Sequence, residues 1–316
     1  MVNNKPTIVI SKCLGFSKCR YNGDTIPDKF VKELGNYVNY ITVCPEVGIG
    51  LPIPRETIRL VLENNEIKLF QPSTGVELTK DMIKFSEEFL SKLPEIDGFI
   101  LKGRSPSCGT KNVKIYLGKE KAVGSTKGAG LFARAVMDKF PSKAIEEEGR
   151  LTNLKIREHF LTKLFTFFAL RQIKTLADLV KFQSDNKYLL MAYNQKEQKI
   201  LGRIIANHDK KDFKNIMKEY EDHLALAFAR APRYTSIINA LQHIFGYFSD
   251  KLSAKERTFF LETLESYREN KIPLSVLIHL LKGYAIQYQQ EYILRQTILS
   301  PYPEGLVNLR DSGNVD

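Results

Sequence analysis

Short apolar runs alternate with amphipathic stretches through the first half of the chain. Short apolar runs predict buried strands at 7–11, 41–44 and 97–102, and further strands are predicted near 66–70 and at 113–117. Stretches with one apolar face, or with a proline at a suitable first position, predict helices near 27–40, near 54–63, at 79–92 and at 131–140. Strands that alternate with helices indicate a parallel, doubly wound sheet. This half is therefore predicted to be an α/β domain with a Rossmann-like parallel sheet.

The hydrophobic period changes near residues 141–155. Pro141 and the acidic run at 146–148 predict a junction there. Beyond it, apolar residues recur with a helical period in 160–170, 237–248, 259–267 and 276–292. With 316 residues and 43% hydrophobic content, the chain is long and apolar enough for two cores. We therefore predict an α/β domain over 1–150 and an all-α domain over 151–316.

Three of the four cysteines lie in Gly-, Pro- or Ser-rich turns directly after predicted strands. Cys13 follows the first strand, Cys44 follows the second, and Cys108 lies in the loop after the strand at 97–102. In an open α/β sheet, the loops at the carboxyl ends of the strands gather at one edge, where ligands bind. This placement predicts that three thiols meet there, as a site for a metal or a cluster. A four-iron cluster held by three cysteines would keep one iron open for chemistry.

Other roles for these thiols compete with a cluster. A free cysteine is often a small hydrophobic residue of the core. A zinc site with Cys19 as fourth ligand stays open, although structural zinc sites usually pair cysteines with about two to four residues between them, and Cys13 and Cys19 have five. A nucleophilic cysteine usually has a histidine beside it, and all five histidines follow residue 150. Spacing therefore favours a cluster and leaves zinc as the alternative.

Three short segments surround these cysteines. Residues 11–15 read Ser-Lys-Cys-Leu-Gly, with Arg-Tyr-Asn-Gly at 20–23; residues 44–47 read Cys-Pro-Glu-Val, with Gly-Leu-Pro and Pro-Arg-Glu soon after; and residues 105–109 read Ser-Pro-Ser-Cys-Gly, just after Leu-Lys at 101–102. Together and in this order they resemble the motifs of the thiouracil desulfurase family.

That resemblance implies a small α/β protein that binds a 4Fe-4S cluster through Cys13, Cys44 and Cys108. It also implies removal of sulfur from thiouracil without net redox change, with the open iron accepting the sulfur. Cys19 and Asn22 depart from the family, which usually has a non-cysteine residue and an aspartate at these positions. Cys19 is therefore left out of the predicted site.

Desulfuration also needs a proton donor and an activated water. Residues 1–150 contain no histidine, so carboxylates and hydroxyls are the natural candidates. Glu46, two residues from Cys44, is predicted to activate water or protonate the leaving ring; its structural alternative is to cap a helix or pair with an arginine. Ser105, three residues before Cys108, is predicted to bond substrate or cluster sulfide; its structural alternative is to form the turn. Glu46 and Ser105 are the predicted catalytic residues.

The second half resembles a different family. Residues 187–192 read Lys-Tyr-Leu-Leu-Met-Ala, 201–203 read Leu-Gly-Arg, and 241–248 read Leu-Gln-His-Ile-Phe-Gly-Tyr-Phe. These segments resemble the YbgA-type helical domain over about 155–312. That resemblance implies architecture and no particular activity.

The charge of the chain broadens the choice of partners. The formal net charge is +11, and the basic residues are spread over both halves. Such a balance favours anionic partners as much as it reflects a solvated surface. The main expectation is an enzyme that acts on a small thiolated base. The alternative is a nucleic-acid-associated protein with a structural or sensory cluster, in which the basic helical domain docks RNA or DNA.

Targeting signals are absent from the sequence pattern. No signal peptide or long apolar segment is visible, so we expect a cytoplasmic protein without disulfides and without a membrane partner. The sequence does not define an oligomeric state.

Overall fold

The structure of the protein is a computed structural model that describes residues 5–119 and 124–307. The described residues form two compact units. One contains residues 5–119, 124–167 and 305–307, and the other is Phe168–Glu304. Residues 1–4, 120–123 and 308–316, which belong to the predicted domains, lie outside the described part of the chain.

The first unit is an α/β unit. In chain order its elements are β1 (Thr7–Ser11), α1 (Lys29–Leu34), β2 (Asn39–Val43), α2 (Pro45–Gly48), β3 (Arg59–Glu63), β4 (Glu66–Gln71), β5 (Val76–Glu77), α3 (Thr79–Ser91), β6 (Gly98–Leu101), β7 (Val113–Tyr116), β8 (Ser125–Gly128), α4 (Leu131–Lys139), β9 (Ala144–Glu147) and the first part of α5 (Leu154–Arg171).

Its central feature is a parallel sheet with the strand order β2-β1-β6-β9. β1 lies between β2 and β6, and β9 pairs with the outer side of β6. The middle strands are mostly apolar, and all their residues except Thr7 are buried, as expected for parallel strands covered on both faces. The chain passes from β1 to β2 on one side and then crosses to β6 on the other. This parallel order confirms the Rossmann-like prediction. An open α/β sheet binds ligands at the point where the strand order reverses, which here lies between β1 and β6.

A second, mixed sheet in the order β5-β4-β3-β7-β8 was not predicted. The strands predicted at 66–70 and 113–117 belong to this sheet, and most of its pairs are antiparallel. The helix predicted near 54–63 is wrong, because residues 59–63 form β3. Asn64 and Asn65 join β3 to β4 with positive φ angles of 52° and 62°, the backbone that a two-residue hairpin turn requires. A hairpin turn needs a strand on each side, so residues 59–63 form a strand although Pro54 suits the start of a helix.

The region predicted as a junction contains a strand of the parallel sheet. Ala144–Glu147 forms β9 and pairs with Gly98–Leu101 along its whole length. The acidic run at 146–148 pointed to a junction because carboxylates are rarely buried. Glu147 and Glu148 are nevertheless buried, with 6% and 9% of their surface exposed.

The described residues of the second unit form helices and no strand, which confirms the all-α prediction. The helices are the end of α5 and then α6 (Leu176–Asp185), α7 (Lys187–Tyr193), α8 (Gln195–Ala206), α9 (Phe213–Ala227), α10 (Tyr234–Phe245), α11 (Ala254–Arg268), α12 (Leu274–Gln287) and α13 (Glu291–Leu294). Aromatic residues fill much of the interior; the rings of Phe245 and Phe260 stack with centroids 3.9 Å apart. Over residues 5–119 and 124–307, no helix is both long and apolar enough to cross a membrane.

Candidate functional site

A cavity of about 350 Å³ opens at the carboxyl edge of the parallel sheet. Its walls come from the turns after β1, β2 and β6 and from the segment that precedes β3. All four cysteines line it, together with Glu46 and Ser105. The structure therefore brings the sequence-predicted site residues to one place, and it adds Cys19 to them.

Cys13 lies in a tight turn that leaves β1. Its carbonyl accepts hydrogen bonds from the Ile26 amide at 2.8 Å and the Thr25 hydroxyl at 3.0 Å, which anchors the turn to the following loop. Gly15 has a φ of +91°, a conformation that side chains with a Cβ rarely adopt. The turn itself therefore requires a glycine at this position.

Cys44 is the N-cap residue of the short helix α2, and Pro45 occupies its first turn. The Gly48 amide donates to the Cys44 carbonyl at 2.9 Å. Proline is well suited to this position because the amide it lacks would have no partner within the helix. The helical turn places Glu46 beside Cys44 on the wall of the cavity.

Cys108 is buried in the turn that follows β6, and Ser105 shapes that turn. The Ser105 hydroxyl accepts hydrogen bonds from the amides of Ser107 at 3.2 Å and Cys108 at 3.1 Å. A Cβ added to Gly109 would lie only 2.4 Å from the Cγ2 atom of Val113. Ser105 therefore has the turn-forming role that was its structural alternative, and its hydroxyl still faces the cavity.

Burial and repulsion from neighbouring groups raise the pKa of Cys13 and of Cys108. Burial, with a smaller contribution from Cys44, raises the pKa of Cys13 to about 11. Burial also raises the pKa of Cys108 well above its ordinary value, against a hydrogen bond with Ser11 that lowers it. A cysteine that binds a metal must be a thiolate. A bound cationic group would favour the thiolate form of Cys13 and Cys108.

The donor set is chemically suited to an iron–sulfur cluster. Over residues 5–119 and 124–307, no three or more His, Cys, Asp or Glu side chains are grouped so that they could hold one metal ion. Thiolates that ligate an iron–sulfur cluster bind different irons, and soft sulfur is the ligand such clusters take. Cys13, Cys44 and Cys108 could hold a cluster in this way.

Glu46 is fixed on one side by an arginine that the sequence interpretation missed. The guanidinium of Arg55 donates to Glu46 Oε2 from Nη2 at 2.6 Å and from Nε at 2.9 Å. The other carboxylate oxygen, Oε1, accepts from the hydroxyl of Ser107 at 3.1 Å and lies 3.5 Å from that of Ser105. The arginine pairing named as its structural alternative is therefore present, and it leaves Oε1 directed toward hydroxyl groups.

Two buried carboxylates from β9 and the residue after it support the same edge. Glu147 Oε1 accepts from the Thr110 amide at 2.6 Å, the Thr110 hydroxyl at 3.0 Å and the Lys111 amide at 3.0 Å. Glu148 accepts from the Gly103 amide at 2.7 Å and forms an ion pair with Lys102. These carboxylates tie the loop that carries Cys108 to the sheet. The sequence signal for these buried carboxylates is the acidic run at 146–148, because few basic residues lie close enough in sequence to pair with its three carboxylates.

Comparisons with known proteins match these two regions separately. The family model described as 2-thiouracil desulfurase matches residues 8–148. A protein of Bacillus subtilis (strain 168), the uncharacterized protein YbbK, is 30% identical over 138 residues, which cover 40% of this chain and 90% of that protein. The chain belongs to the 2-thiouracil desulfurase family. Within this family, the chain also resembles the solved structure of the [4Fe-4S]-dependent thiouracil desulfidase TudS, with 27% identity, 46% of this chain and 93% of that chain covered, and a TM-score of 0.37.

The helical region of this desulfurase-family chain matches a second family. Residues 187–303 match the model described as a protein of unknown function, DUF1722. The predicted YbgA-type assignment is thereby confirmed. Neither family description mentions nucleic acid, so the nucleic-acid alternative gains no support here.

Proposed function

We propose that this protein removes sulfur from a thiolated nucleobase, such as thiouracil, or from a related thioamide. The observation that carries the proposal is the site itself. Cys13, Cys44 and Cys108 line one cavity with Glu46 in a chain of the 2-thiouracil desulfurase family. The reaction replaces a carbon–sulfur bond with a carbon–oxygen bond from water and releases sulfide. It therefore needs no oxidant or reductant.

The three cysteines would hold a 4Fe-4S cluster. When bound, such a cluster supplies an open iron that acts as a Lewis acid and accepts the sulfur. Ser11 supports this arrangement, because its side chain bonds to Cys108 and accepts from the Lys102 amide at 2.9 Å. The chain thus orients its own thiols before any ligand arrives.

Glu46 would act as the base for the attacking water. Arg55 occupies Oε2, so Oε1 is the oxygen available to take the proton. The hydroxyls of Ser105 and Ser107 face that oxygen and can orient a water or a substrate oxygen beside it. Ser105 therefore serves both the turn and the reaction.

The test is anaerobic iron and sulfide analysis of the full chain, combined with conversion of 2-thiouracil to uracil. Alanine at Cys13, Cys44 or Cys108 should each abolish cluster binding and turnover. Cys19→Ala is the matched control and should keep both. A full cluster content in Cys44→Ala, or a loaded wild-type protein that leaves a panel of thiolated bases unchanged, would overturn the proposal.

A further inference from the structure

Cys19 is a buried thiol that the proposed reaction does not use. It lies in the loop between β1 and α1, and only 2% of its surface is exposed. Its side chain lines the same cavity as that of Cys44 and is hydrogen-bonded to it. The Cys44 sulfur also lies 3.8 Å from the Cys19 carbonyl oxygen. A proposed cluster ligand is therefore in direct contact with a fourth thiol.

The buried side chain of Arg55 links the Cys19 backbone to Glu46. Its Nη1 atom donates to the Cys19 carbonyl at 3.0 Å, while the rest of the guanidinium binds Glu46, two residues from Cys44. The Arg55 amide also donates to the Tyr21 carbonyl at 2.7 Å. These contacts do not depend on any bound group, so Cys19 and Cys44 stay adjacent when the cavity holds no cluster.

The loop that carries Cys19 can adapt to a covalent bond. Residues 12–28 contain no helix or strand, and the Cys19 backbone is held by single contacts, its amide to the Ser17 carbonyl at 2.9 Å and its carbonyl to Arg55 at 3.0 Å. A disulfide needs its two sulfur atoms to approach to about 2 Å. The Cys19 side chain has to supply most of that approach, because Cys44 is set by the helix that follows it.

We propose that Cys19 and Cys44 form a disulfide when the cluster is lost and a thiol oxidant is present. Two S–H bonds break and one S–S bond forms, and the two protons and two electrons pass to the oxidant. The bond removes Cys44 from the ligand set and blocks rebuilding of the cluster until a reductant opens it. This consequence rests on the proposed role of Cys44, whereas the disulfide itself rests only on the contact between the thiols.

The sequence makes the test direct. Trypsin cleaves after lysine and arginine, so cleavage after Lys18 separates Cys13 from Cys19, while Cys44 and Cys108 fall on two further peptides. The full chain is stripped of iron with a chelator under reducing conditions, freed of reductant, and treated with diamide. Peptide mapping without reduction should then show the peptide of Cys19 linked to that of Cys44. A dominant link between any other two cysteines, or four free thiols, overturns the proposal.

Two variants connect the bond to cluster rebuilding. After the same oxidation, wild-type protein should lose iron uptake from ferrous iron and sulfide and regain it with dithiothreitol. Cys19→Ser should take up iron without dithiothreitol, and Cys108→Ser should still form the link. Circular dichroism checks that the variants are folded. The peptide map of the wild-type protein tests the disulfide even if a variant does not fold. Because 2-thiouracil turnover is not measured, failure here is distinct from failure of the proposed function.

Discussion

At the scale of single residues, the two oxygens of Glu46 have different tasks. Oε2 is committed to Arg55, whose side chain is only 3% exposed, whereas Oε1 faces two serine hydroxyls. A base that must take a proton needs a fixed orientation as well as a free oxygen. In the proposed mechanism, the ion pair that was the structural alternative for Glu46 therefore orients its carboxylate.

Glu46→Gln should leave the cluster bound and slow turnover of 2-thiouracil. The amide keeps the shape of the side chain but cannot accept the proton, and loss of a positioned base typically costs about a hundred- to ten-thousand-fold in rate. Iron content, the visible spectrum and steady-state turnover check this. Glu56→Gln makes the same chemical change at an exposed position nearby and should leave iron content and turnover unchanged. A wild-type rate in Glu46→Gln would show that another group activates the water.

His159 gives the stability of the protein a dependence on pH. Burial, reinforced by the nearby Lys163 ammonium, lowers the pKa of His159 from 6.5 to about 4. Between these values the unfolded chain binds a proton that the folded chain does not, so stability is lost as the pH falls from 6.5 to 4. Replacement by asparagine should flatten that part of the stability curve, measured by chemical unfolding. His208→Asn, at an exposed site, should keep the slope; the idea fails if both variants behave alike.

At the scale of elements, β9 is the support that the site depends on. Glu147→Ala would leave the buried Thr110 amide and the partly buried Lys111 amide without their acceptor, and loss of the partner of a buried donor costs about 1–3 kcal/mol. We expect a matching fall in the free energy of unfolding and a lower iron content after anaerobic loading. Glu87→Ala, on the exposed face of α3, should change stability by no more than about 0.5 kcal/mol. Unchanged stability and iron content in Glu147→Ala would remove the supporting role.

The positions of the three cysteines were predictable because they depend on local patterns. Each follows an apolar run, and parallel strands present their carboxyl ends at one edge. The buried carboxylates were not predictable in the same way. β9 has only four residues and two are glutamates, so it lacks the apolar pattern by which strands are recognised. Its burial becomes reasonable only once the amides of Gly103 and Thr110 are in place to bind the carboxylates.

Arg55 was missed for a related reason. Pro54 and the charged residues after it match the start of a helix, and that local match hid a loop whose arginine reaches back to Glu46. The competing signal was the Asn64–Asn65 turn, which specifies a hairpin and therefore a strand before it. Local propensity failed here because a contact nine residues away decides the role of the side chain.

At the scale of the whole molecule, the limits of the first domain can be tested by truncation. The predicted limit at residue 150 stays a prediction, while the compact unit extends through Phe167. A Cβ built on Gly98 would lie 3.2 Å from Leu164, so α5 packs closely on β6. A chain that ends at residue 152 should be poorly soluble and bind little iron, whereas one that ends at residue 171 should keep the cluster. Equal soluble yield and iron content for the two would contradict this.

The pairing of β9 with β6 has a consequence for the order in which the protein matures. All three proposed ligands have been synthesised once the ribosome passes residue 108, but the carboxylates that secure the last of them arrive with residues 147 and 148. Gly98 must find Ala144 before the edge is complete. We therefore expect the proposed cluster to be assembled after the sheet has closed, and a chain interrupted between these points would display three thiols without the framework of the proposed site.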